Sequence, residues 1–348
     1  MMVKMVTILI GDCLDVLKTL PDCSVHCCVT SPPYWGLRDY GVEGQFGLER
    51  TPEEYVARLV EVFREVRRVL RDDGTLWLNL GDSYASSGTL DKNGAARMHE
   101  WKGDGVNRHR TDGSKDVGKG RAPTVPGLKP KDLVGIPWRV AFALQEDGWY
   151  LRSDIIWHKP NPMPESVQDR PTKAHEYMFL LSKSRKYYYD AEAVREESHY
   201  RAPKGSGTGR GRYSDDGMGS VPSGGVSANP LGRNRRDVWT IPTRPYRGAH
   251  FATFPTALVE PCLLAGTSER GCCPVCGAPW VREMSRTKSP RTERTDNPNL
   301  HGLRRCPPEI DTVRTIGWHP VCDCDTDPVP CTVLDPFGGS GTTGYIAS

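Results

Sequence analysis

The chain has 348 residues, 37% of them apolar, with a mean hydropathy of −0.53 and a formal net charge of +3. That length accommodates one large domain with insertions, or two domains, and the low hydropathy points to long polar insertions. No apolar run approaches the roughly 18 residues of a membrane span, and MMVKMVTILIGDC lacks the charged start and cleavage region of a signal peptide. No membrane association is therefore expected, and the location is read as cytoplasmic. In that reducing setting the twelve cysteines read as buried thiols and metal ligands rather than disulfides.

Taken in order, Val6 to Ile10 reads as a short strand, followed by Gly11-Asp12 and an amphipathic helix from Leu14 to Leu20 that Pro21-Asp22 ends. VHCCV, residues 25–29, reads as a buried strand, so the opening forms a βαβ unit of a parallel sheet. Asp12 is placed to cap the helix. Ser31-Pro32-Pro33-Tyr34 then lies at the carboxyl end of a strand, where open α/β sheets place their ligand sites. Two prolines fix φ and remove two N–H donors, leaving stiffly held carbonyls free to accept. A hydroxyl, a preset carbonyl and an aromatic face within four residues suit a flat group bearing an NH2. The plainer alternative is a proline-rich turn with Tyr34 and Trp35 packed on the core.

Thr51-Pro52-Glu53-Glu54 has the chemistry of a helix start: an N-cap, proline at the first position, then acids. Apolar Tyr55, Leu59, Val62, Val66 and Val69 recur on one face, Asp73-Gly74 closes the element, and TLWLNLGDSY reads as the next buried strand. A polar insertion fills 85–131, with ten Lys/Arg against five Asp/Glu. Order returns with a helix over Leu133 to Glu146, stopped by Asp147-Gly148, and a strand from Tyr150 to Trp157 that runs into a proline-broken loop. A further strand covers Glu176 to Ser182, with a hairpin-like continuation through Tyr187 to Tyr189. The second insertion, 195–237, is rich in Gly, Ser and Arg, again carries ten basic residues in 195–247 against five acidic ones, and cannot build a core of its own. Segments of that charge suit contact with phosphates. HFATFPTALVEP opens a helix initiated by Pro255.

Cys273-Pro-Val-Cys276-Gly has the shape of a knuckle that turns backbone N–H groups toward thiolates, and Cys322-Asp-Cys324 is its candidate partner. Four thiolates would complete a closed tetrahedral zinc site, with Cys272 or Cys306 able to replace one ligand and ordinary free thiols as the alternative. VLDPFGGSGTTG, residues 333–344, is a strand ending at Asp335 that enters a glycine-rich turn. Its spacing fits neither GxGxxG nor a P-loop.

SPPY near the start and DPFGGSGTTG near the end, in that order, closely resemble the β-class amino-methylating DNA methyltransferases, over most of the chain. The resemblance implies a doubly wound, mostly parallel α/β sheet of the S-adenosylmethionine-dependent type, acting on double-stranded DNA; the polar insertions and the zinc knuckle are added to it by the chain's own composition and cysteine spacing. By the same resemblance Ser31, Pro32, Pro33 and Tyr34 hold the target amine. Asp12, His250, Phe254, Asp335, Phe337, Gly339, Ser340, Gly341 and Thr342 bind S-adenosylmethionine. The metal set is Cys273, Cys276, Cys322 and Cys324 for a structural zinc. Lys159, Asn161 and Glu165 lie in a WxKPN…PES…DR…HE pattern near the target-base pocket, with loop-stabilising roles as the alternative.

Ser rather than Asp before Pro-Pro-Tyr favours cytosine N4 as the methylated atom, adenine N6 being the second reading and an inactive nucleic-acid-binding protein of this fold the third. A cognate restriction endonuclease, not physically bound, is a candidate functional partner that the sequence itself does not identify. The expected organisation is a catalytic α/β domain over 1–84 and 132–194, polar insertion 85–131, target-recognition insertion 195–237, cofactor-side helix region 238–268, zinc-knuckle insertion 269–330 and cofactor motif 331–348. Because Gly344 to Ser348 covers only the first turn of the helix after the glycine turn, the expectation is a truncated form that binds S-adenosylmethionine weakly or needs a separate C-terminal segment.

Overall fold

The computed structural model describes residues 5–37, 43–85, 127–197, 232–244, 254–288 and 310–348. The expected strand over Val6 to Ile10 does not form. A strand exists only by pairing, and this run meets no partner among the described residues: Met5, Ile8 and Ile10 are exposed. The first element is therefore helix α1 (Cys13–Thr19), followed by strand β1 (Val25–Thr30), buried along its whole length. Helix α2 (Pro52–Val69) starts where its sequence says it should, with Thr51 Oγ1 accepting the Glu54 N–H at 3.1 Å. Its stripe of Tyr55, Leu59, Val62, Phe63, Val66 and Val69 is fully buried.

Strand β2 (Leu70–Leu80) leaves α2 without a loop and runs parallel to β1, closing a β1–α2–β2 crossover. Helix α3 (Ile136–Glu146) begins at left-handed Gly135 and ends before Gly148, and strands β3 (Tyr150–His158) and β4 (His175–Ser182) pair antiparallel. The expected continuation through Tyr187 to Tyr189 is not a strand: the segment leaves the sheet, Tyr188 N donating to Asp73 O and Asp190 N to Ala265 O. Strand β5 (Val238–Thr240), helix α4 (Thr256–Gly266), a ribbon of β6 (Trp280–Lys288) and β7 (Ile310–Pro320), strand β8 (Val333–Leu334) and helix α5 (Thr342–Ala347) complete the chain.

The main sheet has the order β5-β3-β4-β2-β1-β8, with β1 parallel to both β2 and β8, β5 parallel to β3, and β4 antiparallel to both its neighbours. Helices cover both faces. Leu17, Leu59, Phe63 and Leu144 from α1, α2 and α3 pack with Cys28 and Leu76 on one side; Leu258, Cys262 and Leu263 of α4 pack with Cys27, Val29 and Trp77 on the other. The alternation of Cys27, Cys28 and Val29 between the two clusters is the period-2 pattern of a central strand buried on both faces. Among the described residues no helix is long and apolar enough to cross a membrane, and every described cysteine is free of disulfide. Most of the two basic insertions, 86–126 and 198–231, lies outside the described residues, as does His250.

Candidate active site

The carboxyl ends of β1, β2, β3 and β8 and the amino end of antiparallel β4 meet at one edge of the sheet, because Asn79 pairs with Met178, Leu80 with Tyr177 and Trp157 with Glu176. Polar side chains converge there. Ser31 Oγ donates to Asn79 Oδ1 at 3.2 Å, so its proton is taken up and its lone pairs remain to accept. The Asn79 amide is itself fixed, since its Nδ2 donates to Tyr177 O at 3.0 Å.

The Tyr34 hydroxyl sits between two acceptors, 2.7 Å from Glu176 Oε2 and 2.9 Å from Asn79 Oδ1. Burial, then the neighbouring Glu176 carboxylate, pushes this phenol well above its ordinary value, so it stays protonated. Its ring lies against Gly81, where a Cβ would approach within 2.5 Å. Lys159 Nζ pairs with Glu176 Oε1 and sits 4.3 Å from the centre of the Trp157 ring. Pro33 O accepts from Tyr55 OH at 2.8 Å, so of the two proline carbonyls Pro32's is the one left without a donor among the described residues. Trp35 packs in the core, as the plainer reading of this stretch had it, whereas Tyr34 belongs to the polar cluster.

Beside this cluster, Thr30 Oγ1 donates to Asp335 Oδ1 at 2.6 Å, and Phe337 N donates to the same oxygen at 3.1 Å. Asp335 Oδ2 is buried without a hydrogen-bond partner, and burial raises the carboxyl above its ordinary value. Gly339 and Gly341 take left-handed φ values of 50° and 76°, folding the turn so that Gly341 N donates to Gly338 O at 2.7 Å. Nothing lies within 4 Å of where a Cβ at Gly338 or Gly341 would be. An orphaned buried carboxylate oxygen beside open glycine backbone fits a cationic small molecule. Ser340 and Thr342 share a hydroxyl contact of 3.0 Å, and Phe337 meets Phe46 edge-on at 5.4 Å.

The other expected residues divide. Asp12 Oδ1 accepts the N–H of Leu14 at 2.9 Å: it caps α1, and no strand precedes it. Phe254 is partly buried against the α4-side cluster. Asn161 bonds both ways with the Thr243 backbone, and Glu165 holds Arg170 and Lys173 N, so both brace the loop, while Lys159 reaches the site. The sulfurs of Cys273, Cys276, Cys322 and Cys324 lie within 4.8 Å of one another, away from this edge. Sequence reasoning missed Asn79, whose signal was one polar residue inside TLWLNL, and placed Glu176 near the pocket only as the last letter of the WxKPN…HE pattern, with no role of its own.

A family model for DNA methylases of the N6/N4 type matches residues 25–273, most of the chain and both sides of this polar cluster. The chain belongs to the N6/N4 DNA methylase family. Among curated relatives, the Type II methyltransferase M.Cfr9I of Citrobacter freundii is 52% identical over 264 residues, spanning 75% of this chain and 72% of the relative. M.SmaI of Serratia marcescens is 48% identical over 269 residues, 76% of each. Among solved structures, the cytosine-N4-specific PvuII DNA methyltransferase aligns over 75% of this chain and 70% of its own, at 17% identity and a TM-score of 0.44. The complex of M1.HpyAVI with S-adenosylmethionine aligns over 97% and 84%, at 15% identity and a TM-score of 0.37.

Proposed function

We propose that this methylase transfers a methyl group from S-adenosylmethionine to the N4 amine of cytosine in duplex DNA. The observation that carries the reading is the acceptor pair at the end of β1: a Ser31 hydroxyl whose proton goes to Asn79 Oδ1, the oxygen that also accepts from the Tyr34 hydroxyl, next in sequence to the Pro32 carbonyl. Such a pair accepts both hydrogens of an exocyclic amine and draws its lone pair out of ring conjugation. The target base must leave the duplex to reach it, at a cost of a few kcal/mol, and Tyr34 offers the aromatic face on which it stacks. The amine is itself the nucleophile, so the chain's task is alignment.

Asp335 and the open Gly338 and Gly341 would hold the cofactor, with Asp335 Oδ2 free for a cationic group, and S-adenosylmethionine supplies an electrophilic methyl on sulfonium when bound. A neutral serine backed by a neutral amide, with the nearby Glu176 charge compensated by Lys159, supports cytosine over adenine. The relatives' designation as Type II methyltransferases supports a place in a restriction-modification system. Insertion 195–237 is the proposed target-recognition segment.

Ser31→Ala tests the reading. Loss of an oriented acceptor is expected to lower the methylation rate about 100-fold or more while circular dichroism and cofactor binding hold. A wild-type rate would remove Ser31 from the chemistry. Mass spectrometry of digested product DNA is expected to give N4-methylcytosine; N6-methyladenine alone would reassign the base.

A further inference from the structure

We infer that Cys273, Cys276, Cys322 and Cys324 hold one zinc ion, and that this ion fastens the excursion between α4 and β8 so that the strand leading to Asp335 is delivered in register. The inference does not rest on the methylation reading. Its first support is geometric. The four sulfurs lie within 4.8 Å of one another; a tetrahedral zinc with Zn–S bonds of about 2.3 Å needs sulfurs about 3.8 Å apart. The first pair sits on a knuckle that already serves thiolates: Val275 N donates to Cys273 Sγ at 3.4 Å, Gly277 N donates to Cys273 O at 2.9 Å, and Gly277 takes a φ of 70° to make the turn. Four thiolates suit zinc by softness and leave no open coordination position, so the ion is structural.

The second support is what else holds this segment. Among the described residues, neither hydrophobic cluster takes a member from 267–288 or 313–332. A segment whose described residues join neither cluster needs another source of cohesion, which in small coreless modules is a disulfide or a metal, and the described cysteines form no disulfide.

The attachment to the sheet is specific. Arg71, held by Asp73 at 2.9 Å, donates to Cys276 O at 2.7 Å, and a Cβ at Gly277 would lie 2.4 Å from that guanidinium. His26, near the start of β1, bridges the knuckle and the strand that follows it: its Nδ1 accepts the Thr332 N–H at 3.0 Å and its Nε2 donates to Gly277 O at 2.9 Å. Thr332 O in turn accepts the His26 N–H at 2.9 Å, and the next residues pair as Cys27 with Val333 and Cys28 with Leu334. A second group, His26 with Cys272 and Cys331, is equally compact, but both nitrogens of that imidazole are engaged by backbone, so it is a brace and not a second metal site. The knuckle thus grips the amino end of β1 and β8, opposite the edge that carries Ser31 and Asp335.

The test starts with full-length protein purified from zinc-replete cells under reducing conditions. Native mass spectrometry and elemental analysis are expected to give one zinc per chain. Cys322→Ser with Cys324→Ser is expected to lose it, and Cys272→Ser with Cys331→Ser to keep it. Should the first double variant not fold, cobalt substitution of the wild type serves instead, with the absorbance of a tetrahedral tetrathiolate site expected. Folded protein without zinc, or cobalt spectra of an oxygen-rich site, would overturn the assignment. The fastening role has its own readout: on metal removal, hydrogen exchange across 332–335 is expected to quicken at least tenfold. Unchanged exchange there would refute the fastening role.

Discussion

The Tyr34 hydroxyl has one proton and two acceptors, and the better placed is Glu176 Oε2 at 2.7 Å. That bond fixes the ring plane on which the target base is proposed to stack, so Glu176 acts through Tyr34 as a positioning residue. A buried hydrogen bond to a charged group contributes about 1.5–3 kcal/mol. Tyr34→Phe is therefore expected to lower kcat by about ten- to a hundredfold, with KM for DNA held because the aromatic face is kept. Single-turnover rates at saturating DNA measure it, and a wild-type kcat would show that the hydroxyl does not orient the ring. How far the residues were legible follows from the same site. Ser31, Pro32 and Tyr34 are contiguous, and their chemistry is visible in four letters. Asn79 and Glu176 reach them across the sheet from other strands, and only the pairing of β2 with β4 places them together. Asp12 was legible as a helix cap, and its Oδ1 accepts from Leu14 N at the start of α1, a role that leaves ligand contact open to its other oxygen.

At the level of elements, α2 was legible to its ends because everything that makes it is local. Thr51 accepts from Glu54 N, Glu54 Oε2 accepts the Arg50 N–H at 2.9 Å, Pro52 presets φ, and the apolar stripe repeats at helical spacing. Thr51→Ala is expected to cost about 1 kcal/mol, read as a lower urea midpoint with an unchanged slope, and Thr51→Ser to restore it. An unshifted midpoint in Thr51→Ala would mean that proline and the acids alone set the helix start. Elements that depend on a partner were not legible in the same way. Val6 to Ile10 has strand composition and no neighbour to pair with among the described residues, whereas the two residues of β8 form a strand because β1 lies beside them. Asp73-Gly74 reads as a turn, yet β2 continues from Leu70, with the ladder slipping between the Val25 and Cys27 pairings to absorb the extra residues.

The whole molecule separates its tasks by position. Helices on both faces bury the sheet, the cysteine knuckle holds its amino end, and the polar cluster occupies its carboxyl end; the order SPPY before DPFGGSGTTG was enough to anticipate the layers. The mixed direction of the sheet was not, since β4 is antiparallel for reasons of connection rather than composition.

Charge is partitioned as well: the basic excess sits in the two insertions while the rest of the chain is net acidic. If insertion 195–237 reads DNA, its arginines meet phosphates and release counterions, each contact adding about 0.9 to the slope of log affinity against log salt on duplex DNA. Arg210→Ala with Arg212→Ala is therefore expected to weaken binding to a duplex and to flatten that slope by about 1.8, while kcat at saturating DNA is retained because neither residue belongs to the Ser31–Asn79–Tyr34 cluster. Fluorescence anisotropy over a salt series measures it. A parallel shift with no change of slope would mean that these arginines support the fold of the segment and touch no phosphate, and the recognition role would then pass to the other basic insertion, 85–131.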